Sequence, residues 1–362
     1  LNKQYSSGVR SILYASVITL ALLLPRYVQA QDWIRQVIDL TINTRFAQAE
    51  SLLTNRLQSG MTGVEEYFYY ASLLNSRMTH FENNRDEGKF FEVLAKTIAL
   101  ADQKLHDSSA LPEARKALLY FYRGSAYGYR AYYYGQTGNW LSAVDDGLKA
   151  AGDLKTCLAI DSACYDAYLG VGVIKYWQST KLKYVLWLPF IEDTRLEGIA
   201  EIKKAVGRGQ YSRFSAMHQL IYILLDNGQY DEALCYADTA ITAYPASQFM
   251  RWAHAHALFK AQRYPEAIPS YLKLLELIEK DPQANPSHWL VCQVRLAENF
   301  DRLGKGTECL ERCRLALSRN YPQADQSRIS DRIAKARELQ EKNKVPAHTE
   351  QKHPPVKASI DR

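Results

Sequence analysis

Four residues, Tyr230, Ala233, Ala240 and Pro245, mark steps of three, ten and fifteen along one ruler, and the ruler recurs. From Tyr264 it meets Ala267 and Leu274 at the same steps, with the proline late, at Pro282. From Gly306 it meets Cys309, Ala316 and, one residue late, Pro322. A period of about 34 residues, with small residues at helical steps, restricts a chain to stacked helix–turn–helix hairpins. Such a hairpin cannot bury its apolar face alone, so its stability comes from its neighbours in the stack.

The clearest hairpin runs from Phe214 to Pro245, and almost everything after Gln31 reads as helix. Apolar residues fall at three- and four-residue steps, and no stretch alternates as a strand does. Upstream, Phe46-Ala-Gln-Ala49 opens a helix, and a pair is expected over Val64–Met78 and Gly88–His106. Pro112 suits a helix start, and the next helix is expected from Ala114 to Gly135, with its mate opening at Trp140. Around Ile160–Gly172 lies a junction that places Tyr168, Val171 and Gly172 at aromatic, aliphatic and small positions. A small residue there lets two helices approach while large neighbours fill the groove beside it. Gly198 and Ala205 recover the ruler only after an insertion, 178–194, that contains Trp187, Leu188, Pro189 and Phe190. It is too apolar for a solvated loop, and Pro189 breaks a helix; a lid or an exposed contact patch is expected. After Pro322, the stripe Ile329, Ile333, Ala336 and Leu339 on a charged helix suits a terminal cap.

These spacings, strongest over Ala163–Pro322 outside the insertion, resemble the tetratricopeptide repeat, in an exported bacterial form. Ile221 stands where that family prefers a small residue, and Arg251 and His254 also depart from its pattern. The resemblance implies an all-α, right-handed α-solenoid of helix–turn–helix pairs. The expected layout is a signal peptide at 1–30, divergent repeats at 31–110 and the array proper at 111–322. A capping helix at 323–342 and a disordered tail at 343–362 complete it. First helices of the family line a concave groove. Carried over by position, the partner-binding candidates are His218, Tyr222, Phe249, Trp252, His256, Phe259 and Lys260, with Val291, Val294, Glu298 and Arg302 from the next copy.

Lys3 and Arg10 precede an apolar run from Ile12 to Leu24, and Val28-Gln29-Ala30 follows with small residues at the cleavage positions. That is the pattern of a secretory signal peptide, with a run too short for a membrane span. Leu1 in place of Met points to an alternative start codon or an incomplete N-terminus. Net charge is +6, yet the body from Gln31 to Asn320 carries 33 basic and 33 acidic residues, which implies no basic face for nucleic acid. Six cysteines lack metal-ligand spacing. Cys157 and Cys164 end one expected helix and start the next, close enough to pair in an oxidising compartment.

Tyr120–Tyr134 packs eight aromatics into fifteen residues, more than one core stripe accommodates. Acidic pairs such as Glu65-Glu66 and Asp145-Asp146 read as solvated helix charges. No nucleophile elbow, phosphate loop or dinucleotide fingerprint is present. The expected function is a non-catalytic exported scaffold without a cofactor, binding a protein or peptide partner in cell-envelope assembly or transport. The alternative is a periplasmic small-molecule carrier resembling the T component of substrate-capture transporters.

Overall fold

The computed structural model describes residues 33–107, 111–181, 192–321 and 326–344, and among them every regular element is an α-helix. The signal segment at 1–30, Trp187–Phe190 and the tail beyond Lys344 lie outside the described residues. The chain divides into two compact units, one ending at Gln262 and the other starting at Arg263.

The first unit holds α1 (33–42), α2 (Phe46–Gln58), α3 (Val64–Phe81), α4 (Glu87–His106), α5 (Glu113–Gln136) and α6 (Trp140–Ile160). It continues with α7 (Ala167–Lys181), α8 (Arg195–Arg208), α9 (Arg213–Asp226), α10 (Tyr230–Ala243) and α11 (Gln248–Lys260). Successive helices pack as hairpins, α5 with α6 and α7 with α8 most extensively. Their tight turns need a left-handed residue, which glycine adopts without steric cost; Gly138 and Gly228 supply it at φ 82° and 76°.

α7 and α8 approach most closely where Gly172 faces Gly198. A Cβ on Gly172 would lie 2.5 Å from the Gly198 carbonyl oxygen, and one on Gly198 would lie 2.6 Å from that of Gly172. Gln178–Lys181, expected at the start of the 178–194 insertion, belong to α7, which runs on to Lys181. Its end is held by Ser179, which receives the Thr194 backbone N–H at 3.0 Å, so the two ends of the intervening segment are tied together.

Glu66 and Asp146 are buried, which corrects their reading as solvated charges. Each is placed inside by a specific cation. Asp146 accepts two hydrogen bonds from Arg130, at 2.6 and 2.7 Å. Glu66 accepts from Arg56 at 2.8 Å and from the backbone N–H of Gly63 at 3.1 Å. A buried carboxylate is tolerated when paired and hydrogen-bonded in this way.

The second unit holds α12 (Tyr264–Lys280), α13 (Pro286–Arg302), α14 (Gly306–Ser318) and α15 (Gln326–Asn343). Its core joins Leu290 and Val294 of α13, Ala316 of α14, and Ile329 and Ala336 of α15. The far end of α15 is pinned by Asn343 and Lys342, both donating to Asp301, at 2.9 and 2.7 Å.

Candidate functional site

In the first unit, α9 and α11 bring four of the expected contact residues into one row of rings. His218 and Tyr222, one turn apart on α9, have ring centroids 5.1 Å apart. Tyr222 stacks on His256 of α11 at 6.1 Å, and His218 meets Phe249 edge-on at 6.0 Å. Their spacing explains the row: residues four apart share a helix face, so two adjacent helices present two matching stripes.

The row is neutral. Loss of water around His218 pushes its pKa down to about 4, and the same cause lifts the Tyr222 hydroxyl to about 12. Both rings are only half-buried, so they stand on the wall of a recess rather than inside a sealed core. Neutral rings in a recess can cover apolar side chains and still exchange hydrogen bonds with a backbone. Trp252, His256 and Phe259 are half-buried on α11, and Lys260 is exposed at its end.

Phe249 departs from this role. Its ring packs at 5.1 Å from His80 and 6.4 Å from Phe46, joining the core built by α2 and α3. The start of α11 is therefore covered by the N-terminal helices of its own unit. Two hydrogen bonds complete this seam. Ser247 Oγ donates to the Ile42 carbonyl at 2.6 Å, and Tyr244 Oη donates to Asp39 at 2.5 Å. Beside them lies an open cleft of about 530 Å³ lined by Asp39, Asn43, Phe214, Ala243, Tyr244, Pro245 and Ala246. Sequence reasoning missed the seam because it joins residues 205 positions apart, far beyond any local period.

In the second unit the expected contact residues of α13 do not share one environment. Val294 is fully buried among Leu290, Ala316 and Ile329, which excludes it as a groove residue. It faces the hairpin mate because its step from Leu290 puts both on the inward stripe. Glu298 is half-buried and receives Arg295 at 2.8 Å, Val291 is half-buried, and Arg302 is exposed.

The tyrosine-rich stretch of α5 divides among several surroundings. Tyr122 and Tyr133 are buried in the core with Phe68 and Phe90. Tyr129 donates to Ser72 of α3 at 3.0 Å. Tyr132 keeps 48 % of its surface accessible, yet burial raises its hydroxyl pKa, the combination expected on a concave wall. The two arginines between them turn to α6: Arg123 meets Asp153 as Arg130 meets Asp146. A third convergence ties the α8–α9 loop inward. Asp166 accepts the backbone N–H groups of Tyr211 and Ser212 at 3.0 and 2.8 Å and the Ser212 hydroxyl at 2.7 Å. This sets Tyr211 against Tyr69, with centroids 6.1 Å apart.

Cys157 and Cys164 are free thiols that share a hydrogen bond, which holds the Cys164 thiol below its usual range. Among the described residues no cluster of His, Cys, Asp or Glu has the arrangement of a metal site. No described helix is long and apolar enough to cross a membrane.

The described helices pair as all-α hairpins whose small residues fall on the repeat spacing, an arrangement that resembles tetratricopeptide repeats. No protein-family model matches the chain, and no curated protein matches it. Among solved structures it is similar to MamA MSR-1 C2, at 16% identity over 61% of this chain and 98% of that one, with a TM-score of 0.37. It is also similar to a tetratricopeptide repeat protein from Parabacteroides merdae ATCC 43184, at 15% identity over 85% and 98%, TM-score 0.37. The TPR domain of P58(IPK) is similar at 12% identity over 87% and 99%, TM-score 0.29.

Proposed function

We propose that the first unit is a non-catalytic scaffold that binds an apolar segment of another protein along the α9–α11 row. The observation that carries this reading is the pairing of His218 and Tyr222: half-accessible rings, both kept neutral by a protein-walled recess. A recess of this kind favours aromatic or aliphatic anchors, which dominate the energetics of peptide recognition. Tyr222, Trp252, His256 and Phe259 supply the apolar surface, and Lys260 stands where it meets a carboxylate or carbonyl. Phe249 and Val294 are structural in this scheme. The alternative, a small-molecule carrier, would need an enclosed aromatic chamber.

The same proposal places the protein outside the cytoplasm, in the periplasm or at the outer membrane, on the charge and hydropathy pattern of residues 3–30. Two experiments test it. Capture from envelope extracts with wild type and a Tyr222→Ala/His256→Ala variant should lose a partner, while the melting curve shows that the variant still folds. Identical partner lists would remove the row from consideration. Sequencing of the mature N-terminus should find it after Ala30; a start before that residue overturns the export reading.

A further inference from the structure

α6 carries charge on its inward face and aliphatic side chains on its outward face between Leu141 and Asp153. Its inward face carries the carboxylates of Asp146 and Asp153, paired to Arg130 and Arg123 of α5. Its outward face carries Leu141, Val144 and Leu148, which are 88, 61 and 64 % exposed. These fall at steps of three and four, so they form one stripe. Gly152 extends it, with nothing within 4 Å of where a Cβ would be. Beside the stripe, Asp145 and Lys149 form an exposed ion pair one turn apart. An amphipathic helix normally turns the other way. Buried ion pairs inside and aliphatic side chains outside give this face no role in holding its own hairpin.

We infer that this face docks the α6 of a second copy of the chain, antiparallel and about a two-fold axis near Gly147. The stripe is self-complementary in that register. Leu141 then lies over the partner's Gly152, a large side chain over a position with no side chain. Val144 packs against the partner's Leu148. A two-fold of this kind sets like flanks together, so Asp145 of each copy faces Lys149 of the other. Residue i meeting residue j, and j meeting i, is the mark of an isologous contact. The aliphatic stripe and its charged rim expose on the order of 400–500 Å² per copy, the size of a weak, reversible dimer contact.

The test is sedimentation of the full chain between about 1 and 100 µM, the range in which an interface of this size assembles. Wild type should show a reversible doubling of mass, lost in Leu141→Asp/Leu148→Asp without a drop in melting temperature. Asp145→Lys and Lys149→Asp should each associate at least about tenfold more weakly, because like charges then face each other across the axis. Mixed in equal amounts, the two variants should recover the dimer. A wild type that stays monomeric overturns the inference. So does a dimer that survives the double aspartate variant, or a mixture no tighter than its components. Association with anionic vesicles by a monomeric wild type, abolished by Leu141→Asp/Leu148→Asp, would assign the face to a membrane instead and equally overturn it.

Discussion

Changing Gly172 to Ala adds one methyl group where α7 and α8 touch. That methyl would lie 2.5 Å from the Gly198 carbonyl oxygen, 2.5 Å from Ile202 Cγ1 and 3.0 Å from the Ile202 nitrogen. Ordinary contacts are about 3.5–4.0 Å, so the helices must separate by about 1 Å or α8 must slide. Two of the three obstructing atoms are backbone, which puts the cost at the upper end of overpacking, about 3 kcal/mol. Alanine returns about 1 kcal/mol through its better helix propensity, leaving a net loss of about 2 kcal/mol. For a unit of this size that lowers the melting temperature by about 4–8 °C. Gly147→Ala on α6 is the matched control. A Cβ there meets nothing within 4 Å, so the same substitution should stabilise by about 0.5–1 kcal/mol. Far-UV circular dichroism melts of both variants beside wild type measure the contrast. A Gly172→Ala protein that melts at or above wild type would refute the close-approach reasoning.

Asp146→Ala leaves Arg130 without either of the hydrogen bonds it donates to that carboxylate and should cost about 2 kcal/mol, Arg130 being partly solvated. Arg130→Met/Asp146→Leu should recover most of that loss, and simple additivity in the urea-melt cycle would count against a coupled pair. His218 has its folded pKa near 4, below its ordinary 6.5, so the unfolded chain takes up that proton first. Stability is unaffected by this group above about pH 6.5 and falls as pH drops from there towards 4. His218→Gln should flatten that stretch of the melting-temperature curve; a slope equal to wild type's would contradict the assignment. Ser247→Ala removes the donor to Ile42, worth about 1 kcal/mol. It should speed amide exchange in α1 by about fivefold, and unchanged exchange would mean the seam is held without it.

Much of the hairpin array is legible because helix periodicity is local. Ala233, Ala240, Ala267, Cys309 and Ala316 all occupy small positions of the ruler, and all are fully buried. Gly172 is legible for the same reason. What escapes is set by partners distant in sequence. Glu66 and Asp146 look like any solvated carboxylate until Arg56 and Arg130 are placed beside them. Phe249 satisfies the spacing of a groove residue, but α2 and α3 reach its ring first. The row formed by His218, Tyr222 and His256 was readable from one-turn steps on neighbouring helices. The neutrality of His218 and Tyr222 was not, since desolvation depends on everything else packed around them.

The seam between α1 and α11 changes how the first unit should come apart and come together. An open array of repeats unfolds from its ends, one hairpin at a time, because each hairpin touches only its neighbours. Here the first described helix is bonded to the start of α11, through Ile42 and Ser247, so α1 cannot peel away without breaking contact with α11. Chemical denaturation should therefore show one sharp transition for this unit, steeper than nearest-neighbour coupling alone would give. During synthesis, Ser247 is added 205 residues after Ile42, a delay of about 10–40 s at ordinary elongation rates. Until then the surface of α1 that α11 will cover stays open, and the ring of helices can close only when nearly the whole unit has been made.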